Sequence, residues 1–465
     1  MKDKSTPRIR LPQTTDQLKK ELSFIFPGVT ISTLPLTTEN TNSIPKEIHG
    51  YSNLFWDSNK NIIYTFIKSM TSGQPETLIK ICCIQNPKVF DLRLTNAYLR
   101  IFQEDCHSAP EKGRHGELWE ILTSSRVRRV ITRVIQFNTK SFLKWLTTME
   151  SAANLRYEGQ AFQIVAIMSK QAEWVAKRAH GGYIPLKNHL PFEKALLNEK
   201  WIRAISNSSE VALHGVSHSG DIQGILDLST SIDNSIGKIS LEKTENVESN
   251  EEFTLPTKLK NVTRFVINGT MAFICAPNGD LYIILPNGIS FMKTQGSWHY
   301  LNFSSFHDFF SEKFSEKIAP QILNLLLDLS FERKGALICV IDDEKMINSI
   351  VPDYGNETIP NFALRQAISG TKIHDENFQH VIKAAASVDG AIVIKNNGII
   401  VDAACMIGEP SQQVLQAAGF NRLERLAGAR STAAWNGSMF GTSIKVSEDG
   451  PITVFVKGKL VAQLG

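Results

Sequence analysis

The sequence predicts an α/β C-terminal domain, a mixed sheet flanked by helices, preceded by a mainly helical N-terminal region and a β-rich middle region. Helical periodicity dominates up to residue 180, Asn-Gly pairs punctuate residues 268–288, and buried apolar strands alternate with helical patterns after residue 331. The predicted domains are therefore 1–180, 181–330 and 331–465. A polar, acidic surface loop is expected at residues 229–255 of the middle domain.

The composition is that of an ordinary globular protein. Apolar residues make up 42% and charged residues 21% of the 465 residues. The net charge of +4 is too small to indicate a nucleic-acid partner. No apolar run approaches the roughly 18 residues that span a bilayer, and the N-terminus lacks a signal-peptide pattern, so we expect a cytoplasmic protein without a membrane partner. The six cysteines have no metal-site or disulfide spacing and are expected to be reduced.

The most periodic helical segment of the N-terminal region is 118–137. It carries four arginines, Arg126, Arg128, Arg129 and Arg133. These could form a polyanion-binding face or the solvated face of an amphipathic helix. The absence of interleaved aromatic residues favours the solvated face.

Two histidines of the middle region, His214 and His218, are four residues apart. In a helix they would share one face, as metal-binding histidines do. The intervening Gly215, Val216 and Ser217 favour extended structure, in which the two rings would be about 13 Å apart. A hydrogen-bonded pair near a turn is the preferred interpretation. After this segment, Asn268-Gly269, Asn278-Gly279 and Asn287-Gly288 predict a meander of hairpins, because Asn-Gly accepts positive φ at both turn positions.

The C-terminal region reads as a mixed sheet with helices. The segment GALICVIDD, residues 335–343, is a continuous apolar strand of the kind buried on both faces. Helices are predicted near 361–369 and 376–386, and strands at 391–394, 399–404, 443–446 and 452–455.

Four motifs stand in order in this region: GALICVIDD, VDGAIVI, GARSTAAW and KVSEDGPITVFVKGKLV. Together they resemble the DisA-like diadenylate cyclase (DAC) domain superfamily, whose members condense two ATP into cyclic di-AMP. The resemblance covers roughly residues 335–465. The whole-chain arrangement, including the string HGVSHSG, is similar to a branch predicted to act as sensors (DACNV-like).

The resemblance implies an adenine-nucleotide site with Mg²⁺ or Mn²⁺ as a cofactor. Asp389 would hold the divalent cation and, in an active enzyme, help to activate a ribose hydroxyl. Arg430 would bind phosphate at a helix N-terminus. The complete implied nucleotide site is Asp389, Gly390, Ala391, Ile407, Gly428, Ala429, Arg430, Ser431, Thr432 and Ser447.

The chain departs from the pattern of active cyclases at three places. Arg430-Ser431-Thr432 stands where the family has Arg-His-Arg, so two side chains of the triphosphate clamp are replaced by uncharged hydroxyls. Val388 replaces the usual histidine before the aspartate. A polar insertion, predicted as helical over Pro410–Leu426, lengthens the spacing, and its Arg422 or Arg425 could replace the clamp or lie on a solvated face.

Three hypotheses follow. The favoured one is a module that binds and senses an adenine nucleotide or a cyclic dinucleotide. The alternative is an active diadenylate cyclase, which in this family requires two domains face to face and hence a homodimer. The third is a purely structural domain that has kept the fold as an assembly surface.

Overall fold

The computed structural model describes residues 16–22, 29–35, 44, 54–57, 59–68, 75–84, 87–108, 115–157, 160–179, 181–230, 256–359 and 361–465. The chain divides into two compact units. Unit 1 comprises residues 1–245, 265–286 and 291–300, and unit 2 comprises residues 246–264, 287–290 and 301–465. Most of the polar loop predicted at 229–255 lies outside the described residues.

Unit 1 contains a four-stranded antiparallel sheet that was not predicted. Its strands are β1 (Thr30–Pro35), β2 (Leu54–Asp57), β3 (Ile62–Lys68) and β4 (Pro75–Cys82), in the order β1-β4-β3-β2. The side chains of Ile62, Tyr64 and Leu78 form its buried core. Residues 62, 64 and 78 share one face because side chains alternate along a strand.

The helical character predicted for the N-terminal region is confirmed. The helices of unit 1 are α1 (16–22), α2 (Val89–Ser108), α3 (His115–Ile135), α4 (Thr139–Ala152), α5 (Ala172–Arg178), α6 (Phe192–Asn198) and α7 (Lys200–Ser206). Among the residues that the structure describes, none of these or the later helices has the length and apolar character needed to cross a bilayer.

The arginines of α3 range from completely buried to partly exposed, and they form ion pairs with carboxylates. Arg126 is completely buried, and its guanidinium donates to Asp105 Oδ2 at 2.7 Å and to Glu21 at 2.6 Å. Arg129 donates to the same Asp105 at 2.7 Å, and Arg133 pairs with Glu104 at 2.9 Å. Arg126 therefore belongs neither to a polyanion-binding face nor to a solvated face, and both interpretations are wrong for this residue. Buried carboxylates neutralise its charge, and helical periodicity cannot reveal them.

The larger sheet has eight strands in the order β14-β13-β12-β11-β7-β9-β10-β8. They are β7 (Ile164–Ser169), β8 (Tyr183–Pro191), β9 (Val211–Val216), β10 (Asp221–Asp227), β11 (Thr270–Cys275), β12 (Leu281–Ile284), β13 (Ile289–Thr294) and β14 (Ser297–Asn302). A short hairpin, β5 (Arg156–Tyr157) and β6 (Gln160–Ala161), precedes them. Because β7 pairs with β9 and β11, this sheet crosses the domain boundary predicted at residue 180.

The predicted meander corresponds to β11 through β14. Asn278-Gly279 and Asn287-Gly288 connect successive strands, and both glycines have positive φ. Asn268-Gly269 instead precedes β11, and the last hairpin turns at Gln295-Gly296. The prediction of a meander is confirmed, with one of its three turns misplaced.

His214 and His218 do not form a pair. His214 lies on β9 with no exposed surface, and its ring nitrogens contact Ser169 Oγ at 2.9 Å and the Tyr183 hydroxyl at 3.0 Å. Burial lowers the pKa of His214 to about 4. His218 is exposed in the following turn, so the predicted hydrogen-bonded pair is wrong.

The mixed sheet predicted for the C-terminal region is confirmed, and it has six strands in the order β17-β16-β15-β18-β19-β20. Its strands are β15 (Ala336–Ile341), β16 (Ala391–Lys395), β17 (Ile400–Cys405), β18 (Gly441–Val446), β19 (Ile452–Val456) and β20 (Lys459–Leu464). The central strand β15 pairs in parallel with β16 and antiparallel with β18, and every residue of β15 is buried.

Helices flank this sheet. They are α8 (Lys260–Thr263), α9 (Phe303–Lys313), α10 (Ala319–Phe331), α11 (Ile347–Ile350), α12 (Phe362–Ile368), α13 (Gln379–Ala386), α14 (Gln412–Ala417) and α15 (Ala429–Gly437). Helix α15 packs on the face of β15 that presents Leu337, Cys339 and Ile341, and Trp435 belongs to the shared core.

The insertion before α15 is less helical than predicted. Only α14 forms, and it ends where Gly419 adopts φ +87°, with Phe420 N–H donating to the Leu415 carbonyl at 2.9 Å. A left-handed glycine with this back-bonding is a common helix stop. Arg422 and Arg425 therefore lie in irregular, exposed backbone.

Candidate functional site

The first part of the candidate site is the turn between α13 and β16. Gly390 has φ +118°, and a Cβ atom on it would lie 2.5 Å from the carbonyl carbon of Ala404. Only glycine fits at this position. The turn leaves the Asp389 side chain fully exposed, immediately before a strand that begins with the buried Ala391.

The neighbouring edge of β17 is a packing surface. Cys405 pairs with Ala391 across the sheet, and its thiol donates to the Ala391 carbonyl at 3.3 Å. Burial raises the pKa of the Cys405 thiol well above its usual value, so the group stays neutral. Cys405 therefore packs and does not act as a nucleophile.

The second part of the site is the N-terminal turn of α15. Gly428 caps the helix with φ +89°, and Ala429, the first residue of the helix, is exposed. Thr432 fixes the preceding loop, since its hydroxyl donates to the Leu426 carbonyl at 3.1 Å and accepts from the Leu426 N–H at 3.2 Å. Ser431 instead directs its hydroxyl towards β18.

Arg430 lies between two carboxylates. Its guanidinium is 3.8 Å from Asp389 Oδ1 and 3.3 Å from Glu448 Oε1. Both carboxylates are largely exposed, at 104% and 71% of their side-chain surface, whereas Arg430 is 29% exposed. Long, exposed ion pairs of this kind contribute at most about 1 kcal/mol, so the guanidinium can exchange these partners for a ligand.

Gly335 makes room for this guanidinium. A Cβ atom on Gly335, directly before β15, would lie 2.1 Å from Arg430 Nη1. The absence of a side chain at residue 335 therefore lets Arg430 lie against the end of the central strand. The sequence interpretation did not name Gly335 as a site residue, although it begins the quoted GALICVIDD segment.

A second cation, Lys445, lies beside this cluster. Its ammonium donates to Ser431 Oγ at 2.9 Å. Burial, together with the positive charge of Arg430, lowers the pKa of Lys445, while Asp449 opposes the shift. The sequence interpretation gave Lys445 no role, although this residue begins the quoted KVSEDGPITVFVKGKLV segment.

Two of the predicted site residues, Ile407 and Ser447, have other positions: Ile407 lies apart from the charged cluster, and Ser447 makes backbone hydrogen bonds in a turn. Ile407 is half-buried and packs near Gly437, at the opposite end of α15 from Arg430, a separation of about 10 Å along the helix. Ser447 shapes the turn after β18: its N–H donates to the Pro451 carbonyl, and its own carbonyl accepts from Gly450.

The structure thus brings together Asp389, Arg430 and Ser431 from distant parts of the chain and adds Glu448, Lys445 and Gly335. Among the described residues, no group of three or more His, Cys, Asp or Glu side chains forms a metal site. Mg²⁺ usually keeps several waters and uses one or two carboxylates together with substrate phosphates. Asp389 and Glu448 fit that role only alongside a bound nucleotide.

Unit 2 combines a mixed sheet, a glycine-capped helix and a charged cluster at the N-terminal turn of that helix, which makes it a domain of the α/β class. Residues 326–460 match the family model described as DAC, DisA bacterial checkpoint controller nucleotide-binding. The C-terminal part of the chain is a DisA-like DAC domain, and all the predicted site residues lie inside the matched range. No curated protein matches the chain in a direct comparison.

Proposed function

We propose that the DAC domain binds an adenine nucleotide or a cyclic dinucleotide and that the protein senses this ligand. The observation that supports the proposal is the convergence of Asp389 and Arg430, 3.8 Å apart, although 41 positions separate them in the chain (430 − 389). Both side chains are accessible, and their existing ion pairs are weak. The triphosphate clamp of active cyclases is replaced at Ser431 and Thr432, and Thr432 is engaged by the backbone of Leu426.

Binding is tested by calorimetry with ATP and with cyclic di-AMP, each with and without Mg²⁺ or Mn²⁺. We expect one of these ligands to bind the full chain with an affinity in the micromolar range. Folded protein that produces no heat up to about 1 mM of either ligand would remove the binding hypothesis and leave the structural one.

The alternative function is diadenylate cyclase activity. The observation that favours it is the full exposure of the Asp389 carboxylate, which leaves it free to hold a divalent cation against a nucleotide. Loss of one arginine at a phosphoryl-transfer site costs on the order of 10³-fold or more in rate, so we expect turnover to be weak or absent. Two domains would have to meet, so at protein concentrations below the dimer Kd any product should form at a rate that rises more steeply than in proportion to protein concentration.

Asp389→Asn distinguishes the two functions. The substitution removes the charge at a fully exposed position, so we expect the free energy of unfolding to change by less than about 0.5 kcal/mol. After incubation with ATP and Mn²⁺, mass spectrometry detects cyclic di-AMP. Product from the wild type that disappears in Asp389→Asn identifies a cyclase, whereas nucleotide binding without product identifies a binding module.

A further inference from the structure

Lys445 adds a positive charge to the candidate site from an unexpected direction. It lies on β18, whose neighbouring residues Ile444 and Val446 are completely buried. Side chains alternate along a strand, so Lys445 and Ser443 point to the same face of the sheet. Ser443 lies beneath α15, 3.2 Å from where a Cβ atom on Gly437 would be. Lys445 therefore reaches the N-terminal turn of α15 along the surface that the helix covers.

Among the described residues, the direct contact of the Lys445 ammonium is with a neutral group and not with a carboxylate. Its hydrogen-bond partner is the neutral hydroxyl of Ser431, and the neighbouring guanidinium of Arg430 has the same sign of charge. Burial and the Arg430 guanidinium both disfavour the charged ammonium, and Asp449 offsets this only in part. A phosphate group that accepts from both cations and from the Ser431 hydroxyl would relieve this repulsion.

We propose that Lys445, Arg430 and Ser431 together bind a single phosphate group. The domain then binds a nucleotide that presents one phosphate to this cluster, such as a nucleoside monophosphate or a cyclic dinucleotide. This inference rests on the proposed nucleotide binding and specifies its ligand class. Arg430 and Lys445 supply two cations beside the Ser431 hydroxyl, and the carboxylates of Asp389 and Glu448 next to Arg430 limit how much further negative charge the cluster accepts. A triphosphate carries more negative charge, and the side chains that would hold its further phosphates are replaced here by Ser431 and Thr432.

The test measures the affinity of the full chain for AMP, cyclic di-AMP and adenosine by calorimetry without divalent cations. Lys445→Met removes the charge and keeps a long apolar stem. We expect it to weaken binding of the phosphate-bearing ligand about 10-fold or more, to leave adenosine binding unchanged, and to reduce the salt dependence of binding. Lys445→Arg should retain more affinity than Lys445→Met, because it keeps the positive charge.

The matched control is Lys395→Met. Lys395 is also a half-buried lysine of this sheet, but it pairs with Glu344 at 2.7 Å and lies four residues, about 13 Å, along β16 from Ala391. Its substitution should not change affinity for AMP or cyclic di-AMP. Circular dichroism and thermal unfolding establish that both variants are folded.

The outcomes separate the two proposals. Wild-type protein that binds ATP with Mg²⁺ but neither AMP nor cyclic di-AMP overturns the single-phosphate inference and leaves nucleotide binding intact. Equal affinities of wild type and Lys445→Met for AMP or cyclic di-AMP overturn the role of Lys445 alone. Wild-type protein that binds none of the four ligands overturns both proposals.

Discussion

At the scale of single residues, a short motif predicts a position in the fold more reliably than a function. Asp-Gly-Ala at 389–391 places a glycine where the backbone has φ +118° and an alanine at the buried start of β16. The same tripeptide would serve a turn without any ligand. What distinguishes a site is Arg430, which the fold brings to Asp389 from another motif.

The contribution of Arg430 can be measured against an arginine of the insertion. Arg430→Ala should lower the affinity for the bound nucleotide about 10-fold or more, since a charge-assisted phosphate contact is worth about 1.5 to 3 kcal/mol. Arg422→Ala should leave the affinity unchanged, because Arg422 is exposed in irregular backbone. Equal losses in the two variants would show that the insertion shares the phosphate contact, and a loss confined to Arg422→Ala would assign the contact to the insertion.

The buried His214 makes the stability of the protein depend on pH. Burial lowers its pKa to about 4 from 6.5, so the folded state holds the neutral ring. As pH falls below about 6.5 the unfolded chain takes up the proton first, and this group alone should reduce the free energy of unfolding by about 3 kcal/mol by pH 4. The contribution of the neutral His214 ring to the free energy of unfolding is therefore complete above about pH 6.5 and is lost as the pH falls towards 4.

Urea unfolding between pH 7 and pH 4 checks this with His214→Gln, which keeps hydrogen-bonding groups but cannot be protonated in this range. The difference in unfolding free energy between wild type and variant should shrink or reverse by about 3 kcal/mol as the pH falls. The control, His218→Gln, changes an exposed ring and should follow the wild type. Parallel curves for wild type and His214→Gln would contradict the prediction.

At the scale of elements, the strength of the sequence signal follows the regularity of the local pattern. The buried strand at 335–343 and the helices near 361–369 and 376–386 were predicted within a few residues of their observed bounds. The four-stranded sheet of unit 1 was missed although β3 and β4 have 7 and 8 residues. Polar residues such as Thr65 and Lys80 interrupt the apolar runs of these strands, whereas β15 is apolar throughout. The pairing of Arg126 with Glu21 spans 105 residues, and no local pattern encodes it.

Substitution by alanine should destabilise the protein more at Gly390, in the turn before β16, than at Gly370. Gly390→Ala meets the backbone of Ala404 at 2.5 Å and adopts φ +118°, whereas Gly370→Ala has φ +85° and no neighbour within 4 Å. Gly370→Ala should cost only the left-handed conformation, about 1 kcal/mol, and Gly390→Ala should cost at least about 2 kcal/mol more. Urea unfolding monitored by tryptophan fluorescence measures both, and equal losses would show that the contact with Ala404 relaxes freely.

At the scale of the whole molecule, the two units pose different questions. Unit 2 contains the residues of the candidate site, and the stretch that matches the DAC family, residues 326–460, falls within it. A binding module needs only unit 2 to respond to the ligand. A sensor needs more: the ligand must have different affinities for two states of the chain, and those states must differ beyond the residues it contacts.

Hydrogen exchange with mass spectrometry on the full chain tests this distinction. Saturating AMP or cyclic di-AMP, whichever binds, should protect amides at 387–392, 428–433 and 445–448, where Asp389, Arg430 and Lys445 lie. Because sensing requires a population shift, we also expect altered exchange in unit 1, including the sheet strands between Ile164 and Asp227. At a ligand concentration close to the wild-type Kd, Arg430→Ala should reduce both effects together, because a variant that binds 10-fold more weakly is then mostly unoccupied. Protection confined to residues 301–465 would contradict sensing and leave a nucleotide-binding domain whose occupancy the rest of the chain does not register.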